Sequence, residues 1–504
     1  MKQATAGFLQ QLETLCEKRR HEIRSAPDAV RITGDTYYVS SSGDDKNDGR
    51  SMDAPWKTLA RVSEAKLQPG DGVLFRRGDL FRGCVQTCAG VIYGAYGQGE
   101  KPKLYGWDKN LGDPALWEAW DREKHIWRLR EKILDCGTLV FNGGERHSRK
   151  LIPSYIGGRF VCRGEETKVF DLRRDMTQDL DLFCRYDAVL TEEPSKGESF
   201  PIPAMNAQSL GELYLRCDAG NPGSVFQDIE ALPRREMFCV GKNENVHIDN
   251  LCLKYIGTHA VAGKRHVKGL HVSNCEIGWV GGTVQHYRGT DPNYPQGGRG
   301  TVTRFGNGVE IYGGCEDCRV ENCYIYQVYD AGITHQITTN GSAFTLRGIL
   351  YADNLIERCV YGIEYFLNKT EGDTQSVIEN CEMRGNIVRF SGYGWGQQRH
   401  NTHTPAHIKG WSFENTAREF VICDNIFDRA ACRMVHLVAK EISSCPQMLR
   451  NTYVQHLSKT LGQYGANAEK EPDVLPFDSR AAEYIRDVFG DAGARVYYID
   501  QTEG

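Results

Sequence analysis

The sequence predicts an all-β fold: a right-handed parallel β-helix solenoid with an inserted β-sandwich-like domain and terminal capping helices. Three observations predict it. Phrases of one design recur: VHIDNLCL (246–253), LHVSNCEI (270–277), CRVENCYI (318–325), LYADNLIE (350–357), SVIENCEM (376–383) and VICDNIFD (421–428). Apolar and polar residues alternate in each, then comes Asn, then Cys, Leu or Ile. Alternation of period two marks a strand, and a phrase returning every few dozen residues marks a solenoid. The second observation is size: 504 residues exceed one ordinary core, whereas a solenoid grows by adding turns. The third is the 54 glycines against 17 prolines, which suit a chain of many tight turns.

The recurrent asparagines are Asn250, Asn274, Asn322, Asn354, Asn380 and Asn425. Parallel strands in register lie about 4.8 Å apart, so stacked Asn side chains can bond one another along the axis. Cys275, Cys323 and Cys381 are expected in an inner ladder beside them.

The order of segments follows. Residues 1–35 carry Phe8, Leu9, Leu12, Leu15 and Cys16 on one helical face, expected to cap the open edge of the first coil. Residues 36–105 form the first coils. There, TYYVSSSGDDKNDGRSMDAPWKTL followed by LQPGDGVLFRRG resembles the opening of the pectate-lyase-like β-helix enzymes. Residues 106–235, with Trp107, Trp117, Trp120 and Trp127, break the rhythm. They read as an inserted β-rich domain, similar to the β-sandwich that some β-helix glycosidases insert. Residues 236–460 are the main solenoid, and 461–504 a C-terminal cap with a helix in 479–493 and a last strand in RVYYID.

Composition excludes several classes. Hydrophobic residues make up 40%, charged residues 25%, and the net charge is -5. No basic stripe calls for nucleic acid, and no stretch approaches the 18 or so apolar residues of a membrane span. The first 20 residues lack an apolar signal core. The expectation is therefore a cytoplasmic protein whose 18 cysteines stay reduced. Cys315 and Cys318 form a lone pair of the CxxC type without a second pair for zinc. Asp44, Asp45, Asn47 and Asp48 read as a solvated turn, because their spacing misses the calcium-loop pattern. No metal and no cofactor are expected.

Catalytic candidates come from aligning a second strand. Gly308-Val309-Glu310-Ile311 matches Gly332-Ile333-Thr334 and Gly362-Ile363-Glu364-Tyr365. Val309, Ile333 and Ile363 then face inward, while Glu310, Thr334 and Glu364 face outward on successive coils. Two coils separate the glutamates, about 9.6 Å along the axis. Asp330 lies four residues before Thr334, in the turn entering that strand and one coil from each glutamate. Glycoside cleavage needs two carboxyl groups in unlike environments, about 5–5.5 Å apart in retaining enzymes and about 6.5–9.5 Å in inverting ones. The order Glu310, Asp330, Glu364 resembles that of the retaining β-helix β-xylosidase family, which also carries an inserted β-sandwich. The resemblance implies Asp330 as nucleophile, Glu364 as general acid/base and Glu310 as a supporting carboxylate. The loop at 335–345 departs from that family's spacing.

Two long loops frame this face, and loops of such length are usually functional. Residues 286–307 offer His286, Tyr287, Tyr294, Arg299 and Arg304; residues 391–411 offer Tyr393, Trp395, Arg399, His400, His403, His407 and Trp411. Aromatic rings stack on sugar faces, while Arg and His bond hydroxyls. Tyr287, Arg304, Trp395, Arg399, His400 and Trp411 are expected substrate contacts, and His335 is expected to bond substrate or orient a carboxylate.

The expected function is a glycoside hydrolase, retaining, acting on short oligosaccharides. A polysaccharide lyase or uronate epimerase is the first alternative, and a non-catalytic carbohydrate-binding solenoid the second, since one fold hosts all three. The partner is an oligosaccharide, with no nucleic acid and no membrane; assembly into a homo-oligomer stays open.

Overall fold

The computed structural model describes residues 2–152, 154–156, 159–162, 165–167, 172–185, 210–288, 299–399, 404–467, 470 and 472–500. The chain is a right-handed parallel β-helix. One coil shows the plan: Arg319–Glu321 lies in the first sheet, Tyr324–Val328 in the second and Ala331–Thr338 in the third. The next coil repeats it with Leu350–Ala352, Leu355–Glu357 and Tyr361–Asn368. The pairing is parallel and in register, with Val320 beside Tyr351, Ile325 beside Ile356 and Ile333 beside Ile363. These side chains are fully buried and belong to one hydrophobic cluster running from Val39 to Phe489. Period-two alternation places the apolar half of every strand in that column.

Each coil turns from the first sheet to the second through one residue with a left-handed backbone. These are Asn250, Asn274, Asn322, Asp353, Gly385, Asp424 and Arg450, with φ between 52° and 64°. Asn, Asp and Gly visit that region at low cost, which explains the first three asparagines. In that column Asn322 donates its side-chain amide to Asn274 at 2.6 Å and Asn274 to Asp249 at 2.7 Å, as stacking predicts. A longer amide ladder lies one residue further on, at Asn354, Asn386, Asn425 and Asn451. Each donates its side-chain amide to the next oxygen at 2.9–3.0 Å, and the ladder ends on Asp491. The single column expected from the sequence is thus two adjacent ones. Asn380 and Cys381 belong to neither: they sit within the strand Val377–Arg384, where Cys381 pairs with Phe420. Asn386 is the missing rung. Cys275 and Cys323 do stack, in the column that Asn354 then continues.

Asn386 donates to the Tyr351 carbonyl and accepts from the backbone N–H and side-chain amide of Asn354. Asn386→Ala should cost about 3 kcal/mol or more, because several buried polar groups lose their partner at once. The shift in urea midpoint measures it; a loss below about 1 kcal/mol would mean the ladder only records the register.

The helix Lys2–Arg24 takes a different place from the one expected. It lies lengthwise along the outside of the second sheet. Phe8 stacks on Tyr497 of the last rung, at 3.9 Å between ring centroids. Leu12, Cys16 and Ile23 pack with Tyr324, Leu355 and Ile387. Arg24 bonds Glu276 with 2.8 Å between Nε and the carboxylate. A 23-residue helix is about 34 Å long, enough to cross six rungs spaced about 4.8 Å. Short helices cover the two ends instead. Leu59–Glu64, capped by Thr58, buries Leu59 and Val62, and Ala481–Asp487 buries Ala481 and Ile485.

Between residues 106 and 235 the strands are mostly antiparallel, and a separate core forms from Trp117, Leu139, Leu182, Leu213 and Leu215. The strand Ser154–Ile156 pairs with Arg299–Phe305, which also forms a hairpin with Thr283–Arg288. Within the loop expected at 286–307, the described residues 286–288 and 299–305 are therefore paired strand, joined to this region. The repeat also runs past residue 460: Lys459–Ala466 extends the third sheet and Arg495–Ile499 the second. Among the described residues, no helix is long and apolar enough to cross a membrane.

Candidate active site

The third sheet carries the site on its outer face. The strands Val309–Tyr312, Ala331–Thr338, Tyr361–Asn368, Ala406–Gly410 and Arg433–Ala439 are consecutive rungs. Val309, Ile333, Ile363, Ile408 and Val435 form the inner column. The neighbouring outer column reads Glu310, Thr334, Glu364, Lys409, His436. The parity expected for Glu310, Thr334 and Glu364 is the one observed.

Glu310, Glu364, Lys409 and His436 of this column border a cleft of about 1200 Å³. Asp330, in the turn before Ala331, reaches it too, and its carboxylate is ion-paired with Arg399. The Arg399 guanidinium lies over the rings of Tyr329 and Tyr361, 5.9 and 5.6 Å from their centroids. Glu310 accepts hydrogen bonds from the Gln336 side-chain amide at 3.0 and 3.1 Å and from that of Asn307. Asn307 is held in turn by accepting the Ala331 N–H at 2.8 Å. Glu364 meets Lys409 at 3.1 Å, and the Lys409 ammonium sits 3.7 Å from the Tyr361 ring centroid.

The carboxyl groups differ electrostatically. Burial pushes Glu310 up to about 7; the two amide donors oppose this, while the charges of Asp330 and Glu364 add to it. Burial also raises Glu364, against the pull of Lys409, and Asp330 raises it further. Burial lowers Lys409 in the same pair. The Asp330 charge acts on both glutamates and that of Glu364 on Glu310, so the glutamates hold their protons partly because of their neighbours.

Glu310 should leave a mark on stability. Its folded-state value of about 7 exceeds the ordinary 4.5, so the folded protein holds this proton more tightly than the unfolded chain. The contribution is complete below about 4.5 and is lost as pH rises through about 7, a change of about 3 kcal/mol. Glu310→Gln should flatten the decline in melting temperature between pH 5 and pH 8. An unchanged slope would show that the carboxyl titrates normally.

The expected substrate contacts divide. Arg399 and Trp411 line the cleft, with Trp411 packed against Phe366 at 4.8 Å between centroids. His335 does not reach it. It pairs in register with Ile311 and Tyr365, faces the solenoid interior, and touches the Tyr351 hydroxyl at 3.1 Å. Burial pushes it down to about 3, so it is a neutral core residue. Trp395 is also buried: its indole N–H donates to the Gln327 carbonyl at 2.8 Å and its ring packs on Tyr329. Arg304 donates from Nε to the Gly282 carbonyl at 2.6 Å and from Nη2 to the Gly137 carbonyl at 2.9 Å, pinning the hairpin to the inserted region. His407 is buried against Phe427 and bonded to Ser391. The side chains of Tyr287, His286, Tyr294, Arg299, His400 and His403 lie outside the described residues.

Sequence reasoning missed Asn307, Gln336, Lys409, Arg433 and His436, all of which line the cleft. Extending the alignment would have found two of them. His-Ile-Lys (407–409) and Met-Val-His (434–436) repeat the pattern of Gly-Ile-Glu (362–364), an inward aliphatic followed by an outward polar residue.

No family model matches the chain. Among curated proteins, 52 residues, 10% of this chain, are 52% identical to a lacto-N-biosidase of Bifidobacterium longum subsp. longum, and they span only 3% of that protein. Among solved structures, the chain is similar to XylC in complex with xylose, with TM-score 0.41 and 11% identity over 92% of this chain and 82% of that one. It is also similar to a GH136 lacto-N-biosidase from Eubacterium ramulus, with TM-score 0.34 and 13% identity over 92% and 68%. The three-sheet solenoid agrees with the β-helix resemblance drawn from the opening motif.

Proposed function

We propose that the cleft belongs to a glycoside hydrolase that cleaves short oligosaccharides with retention of configuration. One observation carries this reading. Three carboxyl groups from successive coils share one cleft, one paired with a guanidinium and two pushed toward the protonated form by burial. That asymmetry is what acid and nucleophile require. Asp330 attacks the anomeric carbon, and the leaving oxygen takes a proton from Glu364. Water then attacks the anomeric carbon and displaces Asp330, giving a proton to the Glu364 carboxylate and so restoring the acid. Glu310, with a proton to donate below about pH 7, bonds a sugar hydroxyl. The segment shared with a lacto-N-biosidase is in keeping with this class.

A panel of aryl glycosides tests it, with wild type, Glu364→Gln and Glu310→Gln. Glu364→Gln should lower kcat/KM about 10²–10⁴-fold, less for activated leaving groups, and azide should restore turnover as a glycosyl azide. If azide rescue follows Glu310→Gln instead, the two glutamates exchange roles. NMR of the first-formed anomer reads retention directly.

Lys409 supports a second reading. A buried lysine held below its ordinary range can act as a base, as in a lyase acting on a uronate. Unsaturated, ultraviolet-absorbing products would select the lyase and reject hydrolysis.

A further inference from the structure

Beyond the carboxylates the cleft continues over the next rung. His436 follows Lys409 in the outer column and lines the cleft wall. It is 7% exposed, and neither Nδ1 nor Nε2 has a hydrogen-bond partner. Buried polar groups are nearly always bonded, so an imidazole with two open nitrogens on a cleft wall points to a ligand. Burial, together with the charges of Arg433 and Lys409, holds its ring down at about 3. It is therefore neutral, with one donor and one acceptor.

Arg433 stands on the same strand and also lines the cleft. Its guanidinium bonds the neutral side-chain oxygen of Gln463, and no carboxylate partners it among the described residues. Other cations of the cleft are neutralised: Arg399 by Asp330, Lys409 by Glu364 and Lys264 by Glu236. Arg265 is exposed and lies toward Lys264, at the opposite end of the stack. One uncompensated guanidinium thus sits beside an unpartnered imidazole, two rungs from Glu364.

We propose that Arg433 and His436 form a subsite for the carboxylate of an acidic sugar in the substrate. The guanidinium pairs with the carboxylate in the forked geometry that suits it, and the imidazole N–H bonds a carboxylate or ring hydroxyl oxygen. The placement next to the reacting sugar rests on the glycosidase reading; the anion preference does not.

Ligand-observed NMR titration of the full chain with D-glucuronate, D-glucose and sodium sulfate tests it. Wild type should bind glucuronate at least ten-fold tighter than glucose or sulfate. Arg433→Gln should abolish the preference, Arg433→Lys should keep part of it, and His436→Leu should weaken it several-fold, with melting curves showing each variant folded. Equal binding of the two sugars, no binding of either, or a preference that survives Arg433→Gln would overturn the subsite. Sulfate binding as tightly as glucuronate would reduce it to a site for free anions and overturn the sugar assignment. The titration reads no catalysis. Inert aryl glycosides alongside a clear glucuronate preference would therefore reject the hydrolase while leaving the subsite intact.

Discussion

Asp330→Asn should lower kcat/KM for aryl glycosides about 10⁴-fold or more, with KM little changed. An amide cannot displace a leaving group, and removing a nucleophile costs most of the rate that the assembled residues supply together. The size of the effect separates the roles in the cleft. A carboxylate that only positioned a hydroxyl would cost far less, and the loss would fall on KM as well. Asp330 also neutralises Arg399, whose side chain is 12% exposed, so Asp330→Asn leaves a cation facing the cleft. Some loss of melting temperature is expected, and Arg399→Ala controls for it: the ion pair is lost there too, but the nucleophile remains. Wild-type turnover by a folded Asp330→Asn protein would remove Asp330 from the reaction.

Arg389→Met should destabilise the protein by about 3–5 kcal/mol, the cost of leaving buried acids without their partner. Arg389 is 1% exposed and stands in a column of the second sheet between Glu357 and Asp428. Its Nε donates to Asp428 at 2.7 Å, and its Nη1 donates to Glu13 at 3.0 Å and Glu357 at 3.4 Å. Glu13 belongs to the N-terminal helix, so this guanidinium ties that helix to three rungs at once. Glu13→Ala should cost much less, because Arg389 keeps two carboxylates and Glu13 is half-exposed. Chemical denaturation of both variants gives the comparison. A difference of less than about 1 kcal/mol between them would show that the helix is held by its apolar face alone.

The sequence by itself determined what is local. Period-two alternation sets parity, and parity alone puts Val309, Ile333 and Ile363 inside and Glu310 and Glu364 outside. The same rule faces His335 inward, because it directly follows the outward Thr334; proximity in the chain to Asp330 was a misleading guide to its side. Left-handed turns explain Asn250, Asn274 and Asn322, since the backbone there demands a residue that tolerates positive φ. Tertiary structure decided whatever depends on which coil lies beside which. Coil length varies with every loop, so Asn386 and not Asn380 fills the ladder, and Lys409 and His436 become neighbours of Glu364 across 45 and 72 residues. Burial of Trp395 and Arg304 likewise follows from the hairpin packing on the inserted region. Parity is a property of one strand and can be read from its residues. Register between strands is set by the packing of the whole stack, and that is where the electrostatics of the cleft arise.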